Sequence, residues 1–240
     1  MDTTTTWFIE KLGEKGIALS SRQLEQFEAY YEILVDWNER MNLTGITERN
    51  AVYEKHFYDS VSLSFFVDID KVNNIADIGS GAGFPSIPLK ICFPHLKVLI
   101  VDSLNKRISF LNALVERLGL SDVECVHGRA EDIARMPQYR DRYDLVTARA
   151  VARLNVLNEF CLPFVRPGGN FAAMKGSQSQ EEVKEAAFSL KELKSKVLRE
   201  HGMVLPNEGS ERHIIVVEKL GETPRKYPRK AGVPLKQPLA

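Results

Sequence analysis

Residues Asn74 to Pro85, N-I-A-D-I-G-S-G-A-G-F-P, run an apolar strand straight into a turn with three glycines, and few folds accommodate such a segment. Ile75, Ala76 and Ile78 suit a parallel strand covered on both faces, while Gly79, Gly81 and Gly83 permit tight turns and close approach of a ligand. Three glycines alone also fit a bare strand-to-helix connection, so the next apolar run decides. Val98-Leu99-Ile100-Val101 ends in Asp102, 19 residues beyond Gly83, where an α/β nucleotide fold places the carboxylate that receives ribose hydroxyls. The competing reading, an acid at a helix start beside Ser103 and Asn105, ranks behind it. The spacing is G-x-G-x-G, whereas a dinucleotide site uses G-x-G-x-x-G and sets a pyrophosphate on the helix N-terminus. A nucleoside cofactor without phosphates fits better, and S-adenosylmethionine is the candidate.

From Val72 to about Leu220, short apolar runs alternate with helical ones, as in a doubly wound parallel sheet. Seven strands are predicted: Asn74 to Gly79, Val98 to Asp102, Val123 to His127, Asp144 to Ala148, Asn170 to Lys175, Val197 to Leu205 and His213 to Glu218. The helix predicted over Asn105 to Leu118 aligns Ile108, Leu111, Val115 and Leu118 and stops at Gly119, a glycine cap. Another starts near Val151 and ends before Arg166-Pro167-Gly168-Gly169, read as a turn. Residues 1–70 read as a helical extension. Ser20 and Gln23 form a capping box, Leu24, Phe27, Tyr31 and Leu34 recur at helical spacing, and a second helix is predicted from about Thr47 to Phe66. The division is therefore 1–70 helical extension, 71–220 cofactor-binding domain, and 221–240 tail.

The tail carries proline at 224, 228, 234 and 238, so it is expected to be extended, and from Lys219 onward it has six basic residues against one acid in a chain of formal net charge zero. Arg225, Arg229, Lys230 and Lys236 are candidates for phosphate contacts, with a merely solvated tail as the alternative. A 44% hydrophobic and 27% charged chain is ordinary for a globular protein, and no 18-residue apolar run is available to cross a membrane. The first residues lack a basic flank followed by an apolar core, which predicts a cytosolic protein. Cys92, Cys125 and Cys161 are odd in number and widely spaced, fitting neither a disulfide framework nor a zinc site; no metal is expected.

Asp77-x-Gly79-x-Gly81-x-Gly83, Asp102 at the end of the second strand and Pro167-Gly168-Gly169 before the fifth resemble the Rossmann-like class I methyltransferases. Asn42-Leu43-Thr44, His56-x-x-Asp59-Ser60, the stretch from Asp77 to Leu89, Arg149-Ala150 and the Pro224 to Leu239 pattern resemble, more specifically, the bacterial glucose-inhibited division protein B family. This resemblance runs nearly end to end. It implies an α/β fold with a seven-stranded, mostly parallel sheet, helices on both faces and an N-terminal helical extension. It also implies methylation of N7 of one guanine in the decoding-region loop of 16S ribosomal RNA. S-adenosylmethionine would be the cofactor, the RNA or the small ribosomal subunit the partner, and the enzyme a monomer with no membrane association.

Carried over residue by residue, the resemblance implies cofactor contacts from Gly79 and Phe84, with Gly81 in the same loop, then Ala130, Glu131 and Arg149; Asp102 takes the ribose by fold analogy. Ala130 is small enough to leave room for adenine, and Glu131 can accept its exocyclic N–H. Core packing competes for Phe84, and a surface acid at a helix start competes for Glu131. No Asp/Asn-Pro-Pro-aromatic motif follows the fourth strand, which argues against an exocyclic amine as acceptor, and no Pro-Cys loop offers the nucleophile for C5 methylation of a pyrimidine. Guanine N7 needs neither, because its lone pair lies in the ring plane and carries no proton. Positioning and desolvation then suffice. Arg149 stays protonated and cannot act as a base; a carboxylate or a phosphate suits its planar fork. Lys175, at a strand's carboxyl end, is with Arg149 a candidate for the reaction itself. Asn42 and His56 are candidates for the acceptor pocket, against a turn cap and a satisfied partial-core histidine. Two other classes stay open: a methyltransferase of a protein or small molecule, and a non-catalytic RNA-binding assembly protein.

Overall fold

The computed structural model describes residues 2–177 and 179–239. Seven strands form one sheet: β1 (Asn74–Ile78), β2 (Lys97–Asp102), β3 (Val123–His127), β4 (Tyr143–Arg149), β5 (Val165–Lys175), β6 (Ser195–Val204) and β7 (Glu211–Lys219). Their order is β3-β2-β1-β4-β5-β7-β6, parallel from β3 to β5, with β7 inserted antiparallel between β5 and β6. The expected mostly parallel seven-stranded sheet is therefore present. The helices are α1 (Thr3–Gly13), α2 (Ser21–Met41), α3 (Arg49–Val52), α4 (Asp59–Val61), α5 (Ser86–Cys92), α6 (Asn105–Leu118), α7 (Ala130–Ile133), α8 (Leu154–Cys161), α9 (Ser179–Glu185), α10 (Ala187–Glu192) and α11 (Val233–Lys236). No helix among the described residues is long and apolar enough to cross a membrane.

Successive strand side chains point to opposite faces, and the core divides accordingly. Ile75, Val98, Ile100 and Leu145 pack with Phe8, Phe27, Phe57 and Leu111, so α1, α2, α5 and α6 share one face. Ala76, Leu99, Val101 and Val146 pack with Leu157, Phe160, Tyr227 and Leu239, so α8 and the C-terminal residues share the other. Ser20 caps α2 as its sequence predicts: its Oγ accepts from Gln23 N and its own N–H donates to Gln23 Oε1, an arrangement worth about 1 kcal/mol. Gly119 closes α6 at φ 61, the left-handed conformation that glycine adopts without strain.

Two predicted elements differ. The helix expected from Thr47 to Phe66 is instead α3, a π-helical turn over Tyr53–Tyr58, α4 and a 3-10 turn over Ser62–Phe65. The widened turn buries Tyr53, Glu54, His56, Phe57 and Tyr58, more consecutive side chains than one face of a 3.6-residue period can hold. The Arg166–Gly169 turn is absorbed into β5, whose pairing with β4 shifts between Tyr143 and Leu145. A Cβ at Gly169 would stand 2.9 Å from the carbonyls of Tyr143 and Asp144, so the bulge requires glycine there.

The tail does not extend as an independent basic arm. Tyr227, Pro228, Pro234 and Leu239 are buried, and Lys219, counted with the tail from sequence, is 0% exposed, its Nζ bonded to Asp141 Oδ1 at 2.9 Å and Thr223 Oγ1 at 2.6 Å. Apolar residues interleaved with the cations have a face of the sheet to cover, and that decides the path.

Candidate cofactor and acceptor site

The turn after β1 is tied to β2 by two bonds: Gly79 N donates to Val101 O at 2.8 Å, and Gly81 N donates to Asp102 Oδ2 at 3.1 Å. Gly79 has φ +74, and a Cβ there would lie 2.9 Å from Val151 Cγ2; Gly81 has φ +63 but faces open space. Beside this loop, at the carboxyl ends of β1, β4 and β5, opens a cavity of about 750 Å³ lined by Gly79, Gly81, Phe84, Arg149 and Lys175 among others. Open α/β sheets bind their ligands at this edge.

Phe84 is stacked by Tyr30 at 5.4 Å and 10° and by His56 at 4.5 Å and 21°, and the Arg149 guanidinium lies 5.0 Å from the same ring. Arg149 is fixed in that position. Its Nη1 donates to Asp59 Oδ2 at 2.8 Å and to Lys55 O at 2.9 Å, and its Nη2 lies 3.2 Å from His56 Nδ1. Asp59, 3% exposed, is held from the other side by Arg212 Nε at 3.2 Å. Lys175 Nζ bonds Ala152 O at 2.7 Å and pairs with Glu182 at 2.8 Å, while Lys55 pairs with Glu208 at 2.5 Å. The lining thus carries Lys55, Arg107, Arg149, Lys175 and Arg212 against Asp59, Glu182 and Glu208, an excess of positive charge that attracts anions.

Two buried groups near the cavity titrate in opposite senses. Burial pushes the Asp77 carboxyl up to about 7, and burial together with the Arg149 cation pushes His56 down to about 3. The folded state therefore holds the Asp77 proton longer than the unfolded chain, and its contribution to stability falls as pH rises from 3.8 to about 7. His56 is neutral when folded at pH values where the unfolded imidazole is charged, so its contribution rises with pH between about 3 and 6.5. Each slope reaches roughly 1.4 kcal/mol per pH unit at most. Urea denaturation from pH 4 to 7.5 should show Asp77→Asn gaining on the parent protein as pH rises and His56→Gln losing on it. Parallel curves would contradict the buried environments described here.

Of the residues singled out from sequence, Gly79, Gly81, Phe84, His56, Arg149 and Lys175 meet in this one cavity. Asp102, Ala130 and Glu131 stand further along the carboxyl edge, outside the cavity lining. Asp102 is buried, with Leu104 N on Oδ1 at 2.9 Å and Arg107 Nη1 on Oδ2 at 3.3 Å. Asp102 also pairs in register with His127, three residues before Ala130, which keeps the three together. Glu131 is 2% exposed rather than a surface acid, and its Oε1 accepts from Gly232 N at 2.8 Å. Asn42 is exposed and ends α2 at φ 49, its N–H donating to Asn38 O: a helix cap outside the cavity. Arg229 is no free cation either, because it is clamped on the buried Glu159. Arg225, Lys230 and Lys236 are exposed. The cysteines are free, and burial pushes all three thiols up, Cys125 to about 11, which leaves none of them poised as a nucleophile.

Sequence reasoning missed Lys55, Asp59, Arg107, Glu182, Glu208 and Arg212 as cavity residues. The His56-x-x-Asp59 spacing held the signal for Asp59, since residues three apart share a helix face. Arg212 gave none, because it enters from the antiparallel strand β7 through tertiary pairing alone.

Residues 23–215 match the GidB family profile, described as rRNA small subunit methyltransferase G. Among curated proteins, the chain is 55% identical over 236 residues to the ribosomal RNA small subunit methyltransferase G of Brevibacillus brevis, covering 98% of this chain and 99% of that one. It is 58% identical to the same-named protein of Bacillus pumilus, covering 97% of each. Among solved structures, an O-methyltransferase from Bacillus cereus in complex with SAH superimposes with a TM-score of 0.57 at 19% identity, covering 80% of this chain and 91% of that one. TrmN from Thermus thermophilus gives a TM-score of 0.52 at 16% identity over 70% of this chain and 53% of that one, and both likenesses speak to the fold. With the profile spanning most of the sheet and relatives matched nearly end to end, the chain belongs to the GidB family of S-adenosylmethionine-dependent methyltransferases.

Proposed function

We propose that this protein methylates N7 of a specific guanine in the decoding-region loop of 16S ribosomal RNA, acting in the cytosol on that RNA or on the small subunit. Family membership supports the RNA as substrate class. The observation that carries the acceptor atom is the absence, among the described residues lining the cavity, of any group free to remove a proton. Asp59, Glu182 and Glu208 are each ion-paired, His56 is a neutral imidazole of lowered basicity whose two ring nitrogens face Thr44 Oγ1 and Arg149 Nη2, and the remaining titratable groups there are cations. An exocyclic amine or a ring carbon has a proton to lose on methylation; guanine N7 has none.

The residues present fit S-adenosylmethionine. Gly81 leaves open space where a side chain would stand, Asp102 is held at the end of β2 by backbone N–H groups, and Glu131 Oε2 has no donor among the described residues. Arg149 would hold the cofactor carboxylate through its fork, Phe84 would wall the methionine part, Asp102 would take the ribose, and Ala130 with Glu131 would receive adenine. When bound, the cofactor supplies a sulfonium methyl whose transfer leaves a neutral thioether and a positive charge on the guanine ring. The chain's part is to align the acceptor with that methyl and exclude water. The cationic lining, with exposed Arg225, Lys230 and Lys236, suits RNA phosphates.

The test is transfer of labelled methyl from S-adenosylmethionine to purified small subunits, to protein-free ribosomal RNA and to ribosomal proteins. Label in RNA is expected, and Arg149→Ala should reduce transfer about a hundredfold through lost charge-assisted bonds. Label confined to protein, or none, would contradict the reading.

A further inference from the structure

The segment that follows β3 is held in place from the far end of the chain. Glu131 Oε1 accepts from Gly232 N at 2.8 Å. Arg135 Nη2 donates to Pro228 O, Arg140 Nη2 donates to Thr223 O at 2.9 Å and Pro224 O at 3.2 Å, and Asp141 Oδ1 accepts from Thr223 Oγ1 at 2.6 Å. Four residues between 131 and 141 are thus bonded to four between 223 and 232, and no other described residue bonds the Glu131 carboxylate. The C-terminal side is itself fixed by Arg229, whose backbone N–H and guanidinium both bond the buried Glu159 on α8, at 2.6 Å for N to Oε1 and 2.6 Å for Nη2 to Oε2.

A carboxylate with one oxygen tied and the other without a donor has a fixed orientation and a single acceptor to offer. From this we infer that the C-terminal strap, through Gly232 N–H, is a positioning element of the cofactor site: it occupies Glu131 Oε1 and presents Oε2 to the exocyclic amine of adenine. The inference rests on the reading of Glu131 as a cofactor contact. It gives the tail a role distinct from phosphate binding. Arg229 acts through Glu159 to hold the strap, and Gly232 acts through Glu131; neither touches the ligand. The strap ties the middle of the chain to its C-terminal residues, with 223–232 bonded to 131–141.

The probe is S-adenosylmethionine binding by calorimetry in the absence of RNA. A chain ending at Lys230 keeps the Arg229–Glu159 pair and lacks the Gly232 N–H; its Kd is expected to rise roughly tenfold, the value of one orienting hydrogen bond. Glu131→Gln should raise the Kd by a similar factor. Combining the two changes should add less than about threefold beyond either alone, because both remove the same contact. Multiplicative effects, or an unchanged Kd in the shortened chain, would overturn the inference. An unchanged Kd in Glu131→Gln with the full chain would instead overturn the assignment of Glu131 itself. Should the shortened chain fail to fold, Arg135→Ala carries the test: Arg135 is exposed, the variant removes only the tie to Pro228 O, and it should raise the cofactor Kd about threefold while RNA affinity at saturating cofactor stays constant. Lys226→Ala, which breaks the exposed pair with Glu192 in the same strap, should leave the Kd unchanged; a rise there equal to that of Arg135→Ala would point to general loosening and overturn the specific contact.

Discussion

Arg229→Ala is expected to lower the unfolding free energy by about 3–5 kcal/mol, the usual cost of leaving a buried charge without its partner. Glu159 is 0% exposed and on α8, and among the described residues every hydrogen-bond partner of its carboxylate comes from Arg229: N at 2.6 Å, Nε at 2.9 Å on Oε1 and 3.0 Å on Oε2, and Nη2 at 2.6 Å. Removing the guanidinium leaves one backbone N–H to satisfy a fully buried carboxylate on α8. Such a pair is costly to break and not especially stabilising to have. Replacing both members by apolar residues, Glu159→Leu with Arg229→Met, should recover most of the loss, since neither charge then has to be desolvated. Urea denaturation of the two variants tests this, and equal instability of the single and double variants would show that the pair is not the source.

Gly79→Val is expected to raise the cofactor Kd at least a hundredfold. At φ +74 a β-branched residue is strained by about 1–3 kcal/mol, and its Cβ would press on Val151 Cγ2 at 2.9 Å. Val151 follows Arg149 and Ala150, and Ala150 is already left-handed at φ 56, so the displacement is passed to the turn that carries the arginine. The added side chain thus disturbs both halves of the site. Gly81→Ala is the comparison: its Cβ meets nothing within 4 Å, so it tests conformational strain, about 1–2 kcal/mol, together with intrusion into the open cavity. Calorimetric titration beside a denaturation curve separates misfolding from lost binding. A folded Gly79→Val protein of unchanged affinity would remove the glycine turn from the site.

Much of this was legible in the chain because local chemistry and tertiary packing agree. The predicted strand at Val123–His127 and the helix at Asn105–Leu118 keep their bounds. Their apolar periods match the faces they bury, and Gly119 closes the helix as a glycine should. The loop Gly79–Phe84 and Arg149 meet at the strand ends because the order of parallel strands requires it. The misses follow from long-range causes. The π-helical turn over Tyr53–Tyr58 departs from a regular helix to bury Glu54, His56 and Asp59 against partners that are distant in sequence, among them Arg149, Arg212 and the N–H groups of Asn207 and Glu208. Charge counting cannot separate a solvated lysine from Lys219, whose partners Asp141 and Leu162 lie 78 and 57 residues away. Likewise, Arg229 reads as one of several tail cations until Glu159 is found beneath it.

The acceptor atom is the most specific element of the account, and one measurement addresses it directly. Small-subunit RNA methylated by the protein with labelled S-adenosylmethionine is treated with reagents that open and cleave the chain only at N7-methylated guanine. Cleavage at a single guanine, with the label recovered at that position, is the predicted result. Labelled RNA that resists this cleavage would place the methyl on another atom and contradict a site whose carboxylates are all committed to ion pairs.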